Sequence, residues 1–162
     1  MIAVRLVRLI EQHSDELTES LLRSFLSSPR TTDLSKVPAH ELRARSSEIL
    51  RNLSDWLLLK SDAEVERRYR EIGARRAAQN VSLAHVLWGI FLTKERIWNF
   101  LKHEGFLRGA LEIYGEMELL RLLDQFFDRA VCYCAEGYEK ARLQSLNAIS
   151  GSRRSIPAAT AS

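Results

Sequence analysis

Four histidines, two cysteines and one pair of aspartates are the residues best suited to hold a metal or carry catalysis, and their spacing argues against both. His13, His40, His85 and His103 fall on different segments without metal-ligand spacing. Cys132 and Cys134 are two apart on a predicted helix and point to nearly opposite sides, so they can neither bridge nor chelate one ion. Asp124 and Asp128, at i and i+4, lie at the margin of an apolar stripe, where carboxylates are usually solvated. No Gly-rich phosphate loop and no Gly-x-Ser-x-Gly elbow is present, so no enzyme is expected. The stretch with most chemical character is "YREIGARRAAQNVSLAHVLWGI", residues 69–90. It begins as a charged helix, breaks at Asn80-Val81-Ser82, and resumes as an apolar helix, with Arg75, Arg76 and His85 around the break.

The elements that hold these residues are all predicted to be helices. A chain of 162 residues with seven Gly, three Pro and 28% charged residues suits one all-α domain with a real core. Its 24 basic residues face 21 acidic ones, mostly interleaved. The surplus of three does not form the one-sided basic face that nucleic acid requires. The apolar runs are too short for a membrane span, residues 1–10 are interrupted by Arg5 and Arg8, and the chain reads as cytoplasmic.

Five segments are expected. The first covers residues 2–26, with Leu6, Leu9, Ile10, Leu17, Leu21 and Phe25 on one face. After a Ser-, Thr- and Pro-rich loop, a second starts near Pro38 and carries Leu42, Leu50, Leu53 and Trp56. Ser61 and Glu64 form a capping box for the third, and Ser82 is the expected cap of the fourth, which ends at Gly105. The fifth, residues 109–143, has two apolar stripes. Ile113, Met117, Leu120, Leu123, Phe127, Val131, Cys134 and Tyr138 form one, and Leu119, Leu122, Phe126, Ala130 and Tyr133 the other. Together they span roughly 220°, more than a peripheral helix of a monomer needs. The helix is therefore central, or its second stripe meets another copy of the chain, and the two are compatible. Residues 1–145 are read as the helical domain and 146–162 as a disordered tail or linker stub.

Three resemblances bear on function. "AHELR", residues 39–43, resembles the phospho-acceptor box of histidine kinases, which would make His40 a phosphotransfer site, but Ala44-Arg45 replaces the family's Thr-Pro. "IGARRAAQNV", residues 72–81, is similar to the corner of sensor globins that carries the haem-ligating His. Here Arg76 stands at that position, and guanidinium has no lone pair for iron. Longer stretches, "LIEQHSDELTESLLRSFLSSPRT", "VPAHELRARSSEILRNLSDWLL", "ERRYREIGARRAAQNVSLAHVLWGIFLTKERIWNFL" and "ELLRLLDQFFDRAVCYCAEGYE", resemble in order and spacing the N-terminal domain of the RsbT co-antagonist (RsbRD) family, a haem-free relative of sensor globins. That resemblance implies a globin-like or antiparallel bundle of about five helices with a long C-terminal helix. It also implies a sensory or regulatory input domain that pairs with itself and needs no cofactor. A STAS-domain protein, a kinase or an anti-sigma regulator would be the signalling partner. A haem-binding globin sensor and phosphotransfer through His40 are the alternatives. A ligand pocket, if the domain has one, is expected between the third, fourth and fifth helices near Tyr69, Arg76 and Trp88, with Arg76 meeting an anion. The competing expectation makes Tyr69 and Trp88 core residues and leaves Arg76 solvated.

Overall fold

The computed structural model describes residues 2–104 and 110–153, which form α-helices joined by short turns and contain no strand. In chain order these are α1 (Ile2–Gln12), α2 (Ser14–Ser27), a 3-10 turn (Thr32–Lys36), α3 (Ala39–Arg51), a π-helical turn (Asp55–Leu59), α4 (Asp62–Ala78), α5 (Leu83–His103) and α6 (Ala110–Arg153). The fold is all-α with a long C-terminal helix. The expected helix end at Gly105, the expected start at Gly109 and the side chain of Ile113 lie outside the described residues.

Several boundaries differ from the sequence reading. The first predicted helix divides at His13, whose backbone leaves helical geometry at φ −103° and ψ 17°. Its Nδ1 donates to the Leu9 carbonyl at 2.9 Å and its ring lies on Phe100, 5.2 Å between centroids. The second helix stops at Arg51 and resumes as the π-helical turn, where the Lys60 N–H donates to the Asp55 carbonyl at 2.8 Å. The added width brings Trp56 onto Tyr69 and Phe126, with centroids 6.2 and 5.9 Å away. The capping box at α4 forms as expected: Glu64 N–H donates to Ser61 Oγ at 3.3 Å, and Ser61 N–H donates to Glu64 Oε2 at 2.8 Å.

α6 is the central element, packing along α4 and against α1 and α5. Its second stripe is largely used up inside the chain. Leu119, Phe126 and Ala130 are fully buried in the core. Tyr133 is half-buried and its hydroxyl donates to Asp62 at 2.8 Å, while Leu122 is half-buried. As folded, the first three do not face a second copy. Among the described residues, the exposed large apolar side chains of α6 are Tyr114 and Met117 near its start and Leu143, Leu146 and Ile149 near its end. The helix also continues to Arg153, past residue 145 where the domain was expected to end. An established helix adds turns at little cost, no proline intervenes before Pro157, and the Ser150 hydroxyl donates back to the Leu146 carbonyl at 3.0 Å. Residues 154–162 of the expected tail lie outside the described residues.

α4 and α6 run in the same direction, since Asp62 pairs with Arg129 and Tyr133 near one end and Val81 with Tyr138 near the other. Between these pairs the backbones touch. A Cβ on Gly73 would run into the Cys134 carbonyl, and one on Gly137 would sit 2.6 Å from Arg70 Cα. Backbone atoms on both sides cannot move aside as a flexible side chain can. Helix propensity alone favours Gly→Ala by about 1 kcal/mol. Overpacking costs about 1–3 kcal/mol and more where backbone must shift. Gly73→Ala and Gly137→Ala should therefore each lower stability by about 2 kcal/mol in urea unfolding. Gly151→Ala, where a Cβ meets nothing within 4 Å, should leave stability unchanged or slightly higher. Equal effects at all three positions would refute the close crossing.

Candidate functional site

The corner between α4 and α5 is built by its neighbours rather than by its own sequence. Asn80 takes the left-handed conformation at φ 58°, where Asn is tolerated, and Val81 N–H closes onto the Arg76 carbonyl at 3.1 Å. Ser82 does not cap α5 with its side chain. Instead its N–H donates to the Asp33 carboxylate at 2.9 Å, and this backbone donor is the main cause holding the Asp33 carboxyl below its ordinary range. The Asp33 N–H in turn donates to His85 Nδ1 at 3.0 Å, so that nitrogen is the unprotonated one. Lys36 Nζ donates to the Asn80 carbonyl at 3.0 Å, and the Tyr138 hydroxyl to the Val81 carbonyl at 2.7 Å. The 3-10 turn thus grips the corner from one side and α6 from the other.

Arg76, only 4% exposed, is neither solvated nor free. Its Nη1 donates to Glu41 Oε1 at 2.6 Å and to Gln79 Oε1 at 2.8 Å. Glu41 also accepts from Arg75 at 2.6 and 2.9 Å and from Gln79 Nε2 at 3.1 Å. The Arg75 guanidinium above all, then Arg76 and Gln79, hold the Glu41 carboxyl at about 2 against the opposing effect of burial. The anion expected at Arg76 is therefore present as a side chain of α3. The same bonds bear on His40, which stands exposed in the first turn of α3. Its neighbouring carboxylate is committed to two arginines and is not available to activate an imidazole.

Tyr69 and Arg76 line one cavity of about 80 Å³ between α3, α4 and α5, with Ser46, Val86, Ile90 and Thr93 among its walls. Tyr69 is 2% exposed, and its hydroxyl is buried without a hydrogen-bond partner among the described residues. Burial pushes its phenol well above the ordinary range. Trp88 is not part of this cavity. It is 37% exposed, carries the Arg30 guanidinium 4.1 Å above its ring, and lines a separate groove of about 390 Å³ with Phe91, Trp98 and Leu120. The three residues expected together thus divide between two separate clefts, because Trp88 sits on the solvent side of α5. Cofactor pockets start at about 300 Å³. A porphyrin therefore does not fit the space beside Arg76, and no imidazole stands there to hold one.

Reasoning from sequence missed Glu41 and Asp33 as organisers of the site. Gln79, three residues after Arg76, had a local signal in its helical spacing. Glu41, thirty-five residues from Arg76, had none.

A sequence model of the family described as the RsbT co-antagonist protein rsbRD N-terminal domain matches residues 6–151. The chain belongs to that family. No curated protein and no solved structure matches it. Membership makes this RsbRD N-terminal domain a regulatory domain of stress signalling. Among its described residues no helix is long and apolar enough to cross a membrane.

The charge cluster has a pH signature. The folded-state value of Glu41 lies below its usual 4.5, so its contribution to stability is present above pH 4.5 and is lost as pH falls toward 2. Urea unfolding at pH 7 and pH 3 should show wild type losing about 2 kcal/mol more over that interval than Glu41→Gln. Equal losses would mean that the carboxylate is not held by its arginines.

Proposed function

We propose that this domain is a cytoplasmic, non-enzymatic sensory or regulatory input domain in bacterial signal transduction, of the stressosome or sensor-kinase type. It works by helix rearrangement and self-association, and it signals to a STAS-domain protein, a kinase or an anti-sigma regulator. The observation that carries this reading is the course of α6. Phe127 on α6 forms part of the wall of the cleft that Tyr69 and Arg76 line, and two turns on Cys134 and Gly137 meet α4 backbone to backbone. Residues 142–152 of α6 are exposed, with Leu143, Leu146 and Ile149 making an apolar stripe that no other described residue covers. A helix that is core at one end and bare at the other can carry a shift from the first to the second, because packed helices move between discrete arrangements.

The expected self-association through Leu119, Leu122, Phe126, Ala130 and Tyr133 is accordingly moved along the same helix. Leu122 and Tyr133, half-buried, remain available at its margin, and the main contact is assigned to Leu143, Leu146 and Ile149. Phe126→Glu would bury a charge and unfold the domain, so it cannot report on assembly. Sedimentation velocity on wild type and on Leu146→Glu tests the placement. Wild type should sediment as a dimer and Leu146→Glu, with an unchanged helical CD spectrum, as a monomer. A monomeric wild type, or a variant that still dimerises, would contradict it.

A further inference from the structure

The stripe at the end of α6 is too small to hold two copies together by itself. Leu143, Leu146 and Ile149 are 61, 59 and 56% exposed. Pairing them with the same residues of a second copy would bury on the order of 600 Å² in all, about half the area of a standard specific interface. More apolar surface is needed, and α6 carries it at its other end. Leu120 and Asp124 of α6 line the open groove of about 390 Å³ together with Trp88, Phe91, Glu95 and Trp98 of α5. Phe91 is 42% exposed, and Met117, one turn before Leu120, is 65% exposed.

Length and charge fix how a second copy can lie on this groove. Its wall on α6, from Met117 to Asp124, and the stripe, from Arg142 to Ile149, each span about 10 Å of the same helix. When two α6 helices run antiparallel about a two-fold axis near position 133, each stripe reaches the other copy's groove and the contact is made twice. Leu146 then faces Leu120, Ile149 faces Met117, and Arg142 faces Asp124. Val131 and Ala135, small and half-buried, lie at the crossing and let the helices approach. Lys94 already pairs with Asp124 at 3.1 Å. Glu95 at the groove and Arg142 beside the stripe are exposed and have no ion pair among the described residues. Parallel helices would bring each of these two charges level with its own copy. The antiparallel arrangement instead sets Arg142 beside Glu95 and Asp124. It covers the aromatic groove as well as the stripe and roughly doubles the buried area, to that of a standard interface.

We propose that the groove at Trp88 and Phe91 is the docking site for the Leu143–Ile149 end of α6 from a second copy of this chain, in a reciprocal antiparallel exchange. This rests on the reading that the domain self-associates, and it names what the stripe meets.

The test is disulfide trapping of the full chain in a Cys132→Ser background, where the remaining native cysteine, Cys134, is buried. Met117→Cys combined with Ile149→Cys, positions about 48 Å apart on one helix, should give a covalent dimer under mild oxidation. Ile149→Cys alone should not. Sedimentation supplies a second readout. Glu95→Arg and Arg142→Glu should each weaken the dimer about fivefold to tenfold, and the two changes together should restore it. Both side chains are exposed, so neither change disturbs the fold. The docking is overturned if Ile149→Cys alone cross-links as readily as the pair, or if the pair fails to cross-link in a protein that sediments as a dimer. It is equally overturned if the doubly changed protein dimerises as weakly as either single variant. Those results would leave self-association itself standing, whereas a monomeric wild type would overturn both.

Discussion

The backbone contact between α4 and α6 at Gly73 and Gly137 governs the rest of the structure. Two helices that approach this closely, with carbonyl and Cα atoms where side chains would otherwise stand, cannot slide past one another without losing the contact altogether. α6 is therefore fixed beside α4 over its middle, and most of its two apolar stripes is buried against α4, α1 and α5. The ion pairs from Asp62 to Arg129 and from Arg70 to Glu136 run along the same seam, but they are exposed and add little. The alignment comes from shape. α4 ends at the corner, and Tyr138 of α6 holds that corner at Val81, so whatever displaces α4 displaces α6 with it.

The second constraint is the buried charge of Arg76. A guanidinium in the interior is tolerable only with a partner, and the chain supplies Glu41 from α3, thirty-five positions earlier. This ties α3 to the last turn of α4. Burial also raises the Cys134 thiol to about 12, so the cysteine nearest this seam is an inert packing residue. The corner is thus a knot of two arginines and a glutamine around one carboxylate.

Local features of this fold were legible in the sequence, and long-range ones were not. The capping box of Ser61 and Glu64, the helix start after Pro38 and the break at Asn80 are short-range signals, and each appears where it was expected. The order of segments was enough to indicate the family. The division at His13 depends on Phe100, nearly ninety residues away, and the capping of α5 depends on Asp33 rather than on the adjacent Ser82. Periodicity identified the two stripes of α6 but not which neighbours they would meet, so Leu119, Phe126 and Ala130 read equally well as core or interface. Tyr69 and Arg76 share a cavity because they lie two turns apart on α4. Trp88 points elsewhere because one helical position on α5 is enough to turn a side chain from core to solvent.

Self-association along the exposed end of α6, at Leu143, Leu146 and Ile149, is the point on which the proposed function turns. Pulsed electron spin resonance on Gln144→Cys spin-labelled in a Cys132→Ser background measures this directly, because Gln144 and Cys132 are exposed and Cys134 is buried beyond the reach of the label. With one label per chain, two copies that meet at Leu143, Leu146 and Ile149 should give one defined distance between labels, and Leu146→Glu should abolish it. No defined distance in wild type, or the same distance in Leu146→Glu, would contradict the account.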